Sequence, residues 1–117
     1  MEMTQVKIVE CSFFIPIVRD SNLSDGLIHK LETWQKLSDE LFTRFGGRTM
    51  APGTYSGAYR DPNTGLEVTD ESRKFYLAVS ENSLDEVRQL LREACDWFQQ
   101  KCIYLSAAGQ VEFVTKP

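Results

Sequence analysis

The chain has one histidine, three cysteines without a CxxC spacing, and four prolines in 117 residues. A zinc site needs convergent thiolates or imidazoles, and His29, Cys11, Cys95 and Cys102 are too scattered along the chain to supply a set. No metal and no other cofactor is expected, and the thiols are expected to pack in the core. Basic residues are also short, with 13 Lys and Arg against 17 Asp and Glu, a net charge of -4 and a pI near 5.0. That balance opposes a nucleic-acid backbone and an anionic bilayer alike, both of which are met by a basic face. No apolar run approaches a membrane span, and the opening MEMTQVKIVE is acidic and alternating, unlike the charged-then-apolar lead of a signal peptide. A cytoplasmic protein that contacts neither nucleic acid nor membrane is therefore expected.

A hydrophobic share of 42% over this length is enough for one core, so residues 1–117 read as a single domain. VKIVECSFFIPIV is rich in branched and aromatic residues and reads as a strand, with Val9, Cys11, Phe13 and Ile15 on one face. Leu27, Leu31, Trp34, Leu37, Leu41 and Phe45 recur at intervals of three and four, which predicts a helix over about residues 28–45, stopped by Gly46-Gly47. Ser83 and Glu86 have the spacing of a capping box, and behind them Leu84, Val87, Leu91, Ala94 and Phe98 form the apolar stripe of a second helix. GTYSGAYR and SRKFYLAVS lie between the helices, and CIYLSAAGQVEFV follows the second, with a short extra strand from Gln110 to Val114. The order predicts an α+β, ferredoxin-like β-α-β-β-α-β sandwich: an antiparallel sheet, two helices on one face and a short added C-terminal strand.

Asp61-Pro62-Asn63-Thr64-Gly65 has the residues of a tight reversal, Pro pre-set for the first turn position and Gly free to take a positive φ. Pairing Arg60 with Leu66 would bring Ser56 near Asp70 and Gly53 near Arg73. Asp70-Glu71-Ser72-Arg73 is more charge than the turn needs. Right-handed crossover topology gathers Arg19, Asp20 and His29 of the first loop with Arg60, Asp70, Glu71 and Arg73 of the hairpin and Lys101. This group is either a site in which Arg73 or Arg60 grips a small anionic ligand beside His29 as proton carrier, or an ordinary wet loop end. In the first case Arg73 is expected to be held by Asp70 or Glu71.

The sheet surface away from the helices is the second candidate. If Phe75, Leu77, Val79, Ile103, Leu105, Val111 and Phe113 face the helices, then Glu10, Ser12, Phe14, Lys74, Tyr76, Ala78, Tyr104, Ser106 and Glu112 face away. Aromatics among small polar residues suit a homodimer interface, a small-molecule pocket completed by the partner, or, least well with so few basic residues, a base-stacking platform. Glu10 and Glu112 are the carboxylates available there for acid–base work, should they be buried.

Arg44-Phe45-Gly46-Gly47, Gly53-x-Tyr55-x-Gly57 and Asp70-x-Ser72-Arg73, within a match over about residues 7–114, resemble a family of small bacterial proteins without an assigned activity. The resemblance implies a bacterial origin and a ferredoxin-like fold, and it transfers no catalytic residue. Two functions stay open: a small dimeric binding or interaction module, or a cofactor-free enzyme similar in plan to dimeric α+β barrel monooxygenases and isomerases. No nucleophile–base pair or phosphate loop is legible, which favours binding.

Overall fold

In the computed structural model, which describes residues 6–116, the chain forms an antiparallel sheet of six strands backed by two helices. Met1–Gln5 at the acidic start of the sequence and the terminal Pro117 lie outside the described residues. The elements are β1 (Ile8–Pro16), α1 (Leu31–Phe45), β2 (Thr49–Met50), β3 (Tyr55–Arg60), β4 (Glu67–Ser80), α2 (Leu84–Trp97), β5 (Cys102–Ala107) and β6 (Gln110–Thr115). Across the sheet the order is β2-β4-β1-β5-β6, and β3 also pairs with β4. β1 is therefore internal to the sheet, in keeping with its richness in branched and aromatic residues.

The period of two is complete along β1: Val9, Cys11, Phe13 and Ile15 are at most 7% exposed, while Glu10 lies open between them. Phe75, Leu77, Val79, Ile103 and Leu105 extend the sealed side across the neighbouring strands, and Leu37, Leu41, Val87, Leu90, Leu91, Ala94, Cys95 and Phe98 close it from the helices. Phe13 stacks on Phe75 at 5.2 Å and Trp34 on Phe75 at 6.1 Å, so large rings occupy the space between sheet and α1. Burial pushes the thiols of Cys11 and Cys95 up to about 11, as expected of cysteines that serve as packing.

Helix α1 begins at Leu31, three residues later than its stripe predicts. Backbone groups of residues 27–29 bond back to residues 17–19, through Arg19 N–H to Leu27 O at 2.8 Å and His29 N–H to Ile17 O at 3.2 Å, and these compete with a helical turn. The end is as expected: Gly46 sits at φ 76 and gives its N–H to Phe42 O at 2.8 Å. The capping box at α2 does not form. A single 3₁₀ turn, Glu81–Ser83, runs straight into the helix, so Ser83 is not extended and its side chain caps nothing. Ser80 Oγ instead accepts from Asn82 N–H at 3.2 Å, one turn earlier.

Strand β4 has 14 residues, more than the sheet can pair. Ser72–Ser80 pairs with β1, whereas Glu67–Glu71 pairs only with β3. The β3–β4 hairpin thus projects as an arm and stretches the molecule to 59 × 31 × 29 Å. Asp61 Oδ1 accepts from Asn63 N–H at 2.7 Å and Thr64 N–H at 3.2 Å, and Gly65 takes φ 71, so the reversal is built as its residues predict. The register is one residue from the expected one, with Arg60 opposite Glu67 and Ser56 opposite Glu71. A shift of one exchanges the two sides of a strand.

Candidate ligand-binding face

The charged loop end comes together only in part: Arg19 is close enough to His29 to act on it, His29 and Arg73 both border Trp34, and Asp20 and Asp70 border Tyr59. Arg19 is held by Asp25 through Nε to Oδ1 at 2.6 Å and Nη2 to Oδ2 at 3.0 Å. That pairing, with the Leu27 N–H, draws the Asp25 carboxyl down to about 2. His29 is buried at 7% exposure, donates from Nε2 to the Pro16 carbonyl at 2.8 Å, and lies edge-on against Trp34 and Phe98. Burial pushes its pKa below the usual imidazole value, so it is a neutral packing group rather than an exposed proton carrier. Arg60 lies on the projecting arm, opposite Glu67. Asp70 and Glu71 point to opposite sides of β4, and neither holds Arg73. The Arg73 guanidinium lies 5.5 Å over the Trp34 ring, with Nη1 3.2 Å from Met50 Sδ. The expected pairing is not formed: Asp70 is on the other side of β4, and Arg73, opposite Ile15, is drawn over Trp34 instead of toward Glu71.

The open side of the sheet is more organised than the sequence indicates. Register pairs Lys74 with Phe14, Phe14 with Tyr104, and Tyr104 with Phe113, so one row crosses β4, β1, β5 and β6 at right angles to the strands. Its rings meet edge to face: Phe14 and Tyr104 at 5.4 Å, Tyr104 and Phe113 at 5.8 Å. Tyr55 joins from β3, 5.6 Å from Phe14. The next row reads Tyr76, Ser12, Ser106 and Val111. A strip of aromatic surface is thus flanked by the hydroxyls of Tyr76, Ser12 and Ser106. At one end the Lys74 ammonium lies 5.2 Å from the Phe14 ring, 5.6 Å from Tyr55 and 4.8 Å from Tyr76.

Glu112 is not on this side. Ala108 and Gly109, at φ 51 and 78, make a two-residue turn that sets Ala107 opposite Gln110. Gln110, Glu112 and Val114 therefore share the helix side, where Glu112 takes a 2.7 Å bond from Arg88 Nε, and Val111 and Phe113 face away. Glu10 is then the one acidic residue that β1, β5 and β6 present on the open side among the described residues. Sequence reasoning placed Ser12, Tyr76 and Tyr104 here correctly. It missed Tyr55, which joins through the hairpin register, and Phe113, which the Ala108-Gly109 pair would have placed had the turn been counted as two residues.

The strip is flat. Two shallow concavities lie elsewhere, one of about 380 Å³ on the arm between Ala58, Tyr59, Arg60, Gly65 and Glu67, the other of about 200 Å³ between α2 and the β5–β6 turn. The second lies at the edge where α2 meets β5 and β6, and neither is lined by a residue of the strip. Among the described residues no group of three or more His, Cys, Asp or Glu is placed to hold a metal ion, and no helix is long and apolar enough to cross a membrane.

Fold and face together define a small α+β protein with a sealed sheet side and an exposed aromatic one. No family model and no curated protein matches the chain. Among solved structures it is similar to a phage SAM lyase in complex with S-methyl-5'-thioadenosine, at TM-score 0.70 and 16% identity over 98% of this chain and 95% of that one. A phage SAM lyase in the apo state gives TM-score 0.66 and 18% identity over 98% and 94%. A B. subtilis GlnK–ATP complex gives TM-score 0.52 and 14% identity over 87% and 82%. At these identities the likeness is one of fold.

Proposed function

We propose that this chain is a small binding module that pairs with a second copy through its open sheet side, as a homodimer, and holds an adenine nucleoside against the aromatic row. The observation that carries this reading is the row from Phe14 through Tyr104 to Phe113, whose last ring is 64% exposed. A flat aromatic surface stacks a purine, and the hydroxyls of Ser12, Ser106 and Tyr76 suit the polar edges of base and ribose. A flat face becomes a pocket once a second copy covers part of it, and with Ile8, Val111 and Phe113 exposed on one side it has the apolar character of an interface. Two structures of similar fold add support, since the ligands in their names, S-methyl-5'-thioadenosine and ATP, share an adenosine. The strand order, with β2 and β3 together taken as the second strand, is consistent with the ferredoxin-like plan and with membership of the bacterial family that the sequence resembles.

Isothermal titration with adenosine and light scattering test the two halves of the proposal. Saturable binding that Phe14→Ala abolishes, on a particle larger than the 13.4 kDa chain, is the expected result. A monomer at high micromolar concentration would remove the assembly, and no adenosine binding would remove the ligand.

A second reading, a cofactor-free lyase, draws on the TM-score of 0.70 to the phage enzyme, with Glu10 as the carboxylate on the open side. Consumption of S-adenosylmethionine that Glu10→Gln stops would establish it.

A further inference from the structure

The two nucleoside ligands named in structures of similar fold differ at the 5' carbon, which bears a neutral thioether in one and a triphosphate in the other. Lys74 bears on that difference. It is partly exposed, has no ion-pair partner among the described residues, and is ringed by Phe14, Tyr55 and Tyr76 at 4.8–5.6 Å. Its neighbours in register on the same side are Phe14 across the sheet and Ser72 and Tyr76 along the strand. On the same side in register stand Asp70, four residues along β4, and Glu10, four residues from Phe14 along β1, each about 13 Å of backbone away at strand rise, while Asp20 borders Tyr59 and Cys102. Ring faces attract the ammonium without neutralising it, so its charge stays available. The adjacent cation, Arg73, lies on the helix side against Trp34, away from a molecule stacked on the row.

Resting on the nucleoside reading above, we infer that Lys74 makes the open face selective for adenosine with a 5'-phosphate, and against adenosine with a 5'-sulfonium. A base stacked over Phe14 and Tyr104 directs its 5' substituent along the row, and where that substituent meets Lys74 a phosphate completes a charge-assisted pair. A sulfonium in the same place meets a like charge that no carboxylate pairs with. The row then favours nucleotides over S-adenosylmethionine, which separates the binding reading from the lyase reading on one residue.

The experiment is calorimetric titration of adenosine, AMP and S-adenosylmethionine into wild type, Lys74→Gln and Lys74→Arg, each first shown by urea denaturation to be folded. In wild type AMP binds about tenfold or more tightly than adenosine, and S-adenosylmethionine more weakly than adenosine. In Lys74→Gln the AMP-to-adenosine ratio falls toward one, and Lys74→Arg restores the preference. The inference is overturned if wild type binds AMP no better than adenosine, or if the ratio survives in Lys74→Gln. A variant that loses both ligands alike also overturns it, since Lys74 then supports the face instead of reading the phosphate. Adenosine and AMP both failing to bind wild type removes the nucleoside reading itself, a result distinct from adenosine binding without preference.

Discussion

Both sides of one sheet carry aromatic rings and use them differently. On the helix side Phe13 is fully buried and stacked on Phe75, with α1 and α2 above it. On the other side Phe14, the next residue in sequence, meets Tyr55 and Tyr104 edge-on and has no element of its own chain packed over it among those described. Alternation along β1 produces both environments, so hydrophobicity does not distinguish them. Coverage does: the sealed side gains its free energy during folding, and the open side retains apolar surface whose burial is still available to a ligand or a second copy.

The contrast is broken most directly by substituting the two neighbours in turn. Phe13→Ala empties a fully enclosed site and should cost about 3–5 kcal/mol. Phe14→Ala removes a ring that water already reaches and should cost roughly 1 kcal/mol or less to the isolated chain, while abolishing the proposed ligand binding. Urea denaturation at low protein concentration measures both. Equal losses would mean that the open row is a structural core in its own right.

How far this contrast was legible in the sequence depends on the range of the signal. The stripes of α1 and α2, the Gly46 stop and the Asp61–Gly65 reversal are set by residues within a turn or two of one another, and each is found where its pattern predicts, apart from the frayed start of α1. Features that depend on counting across a turn were lost. One residue of register at the arm moves the partner of Ser56 from Asp70 to Glu71, and two residues at Ala108-Gly109 exchange Glu112 for Phe113. Lys74 and Phe14 were placed on the correct side from alternation alone, but the row they begin exists only through cross-strand pairing.

A smaller effect sharpens the account of how β4 leads into α2. Ser80 Oγ takes the Asn82 N–H at the start of the 3₁₀ turn, whereas Ser83 caps nothing. Ser80→Ala should cost about 0.5–1 kcal/mol and Ser83→Ala only a few tenths. Chemical denaturation of the pair distinguishes them, and the reverse order would restore the capping box at Ser83.

The smallest effect, nil at neutral pH, concerns His29 beneath the sealed side. Burial against Trp34 and Phe98 lowers its pKa from 6.5, the nearby charge of Arg19 lowers it further, and the bond to the Pro16 carbonyl opposes both. The unfolded chain therefore takes up a proton near pH 6.5 that the native protein refuses until a lower pH. Stability from this residue is complete above that value and declines as the pH falls through 6.5 toward the native pKa. His29→Gln keeps an N–H for Pro16 and has nothing to titrate. Subtracting its stability from that of wild type at each pH isolates His29 from the carboxylates, Asp25 included, that titrate lower down. The difference should be flat from pH 8 to about pH 7 and turn against wild type below 6.5. A difference that moved in favour of wild type with acid would mean that the folded protein binds the proton more tightly than the unfolded chain, and that His29 is open to a counter-charge rather than sealed with the core.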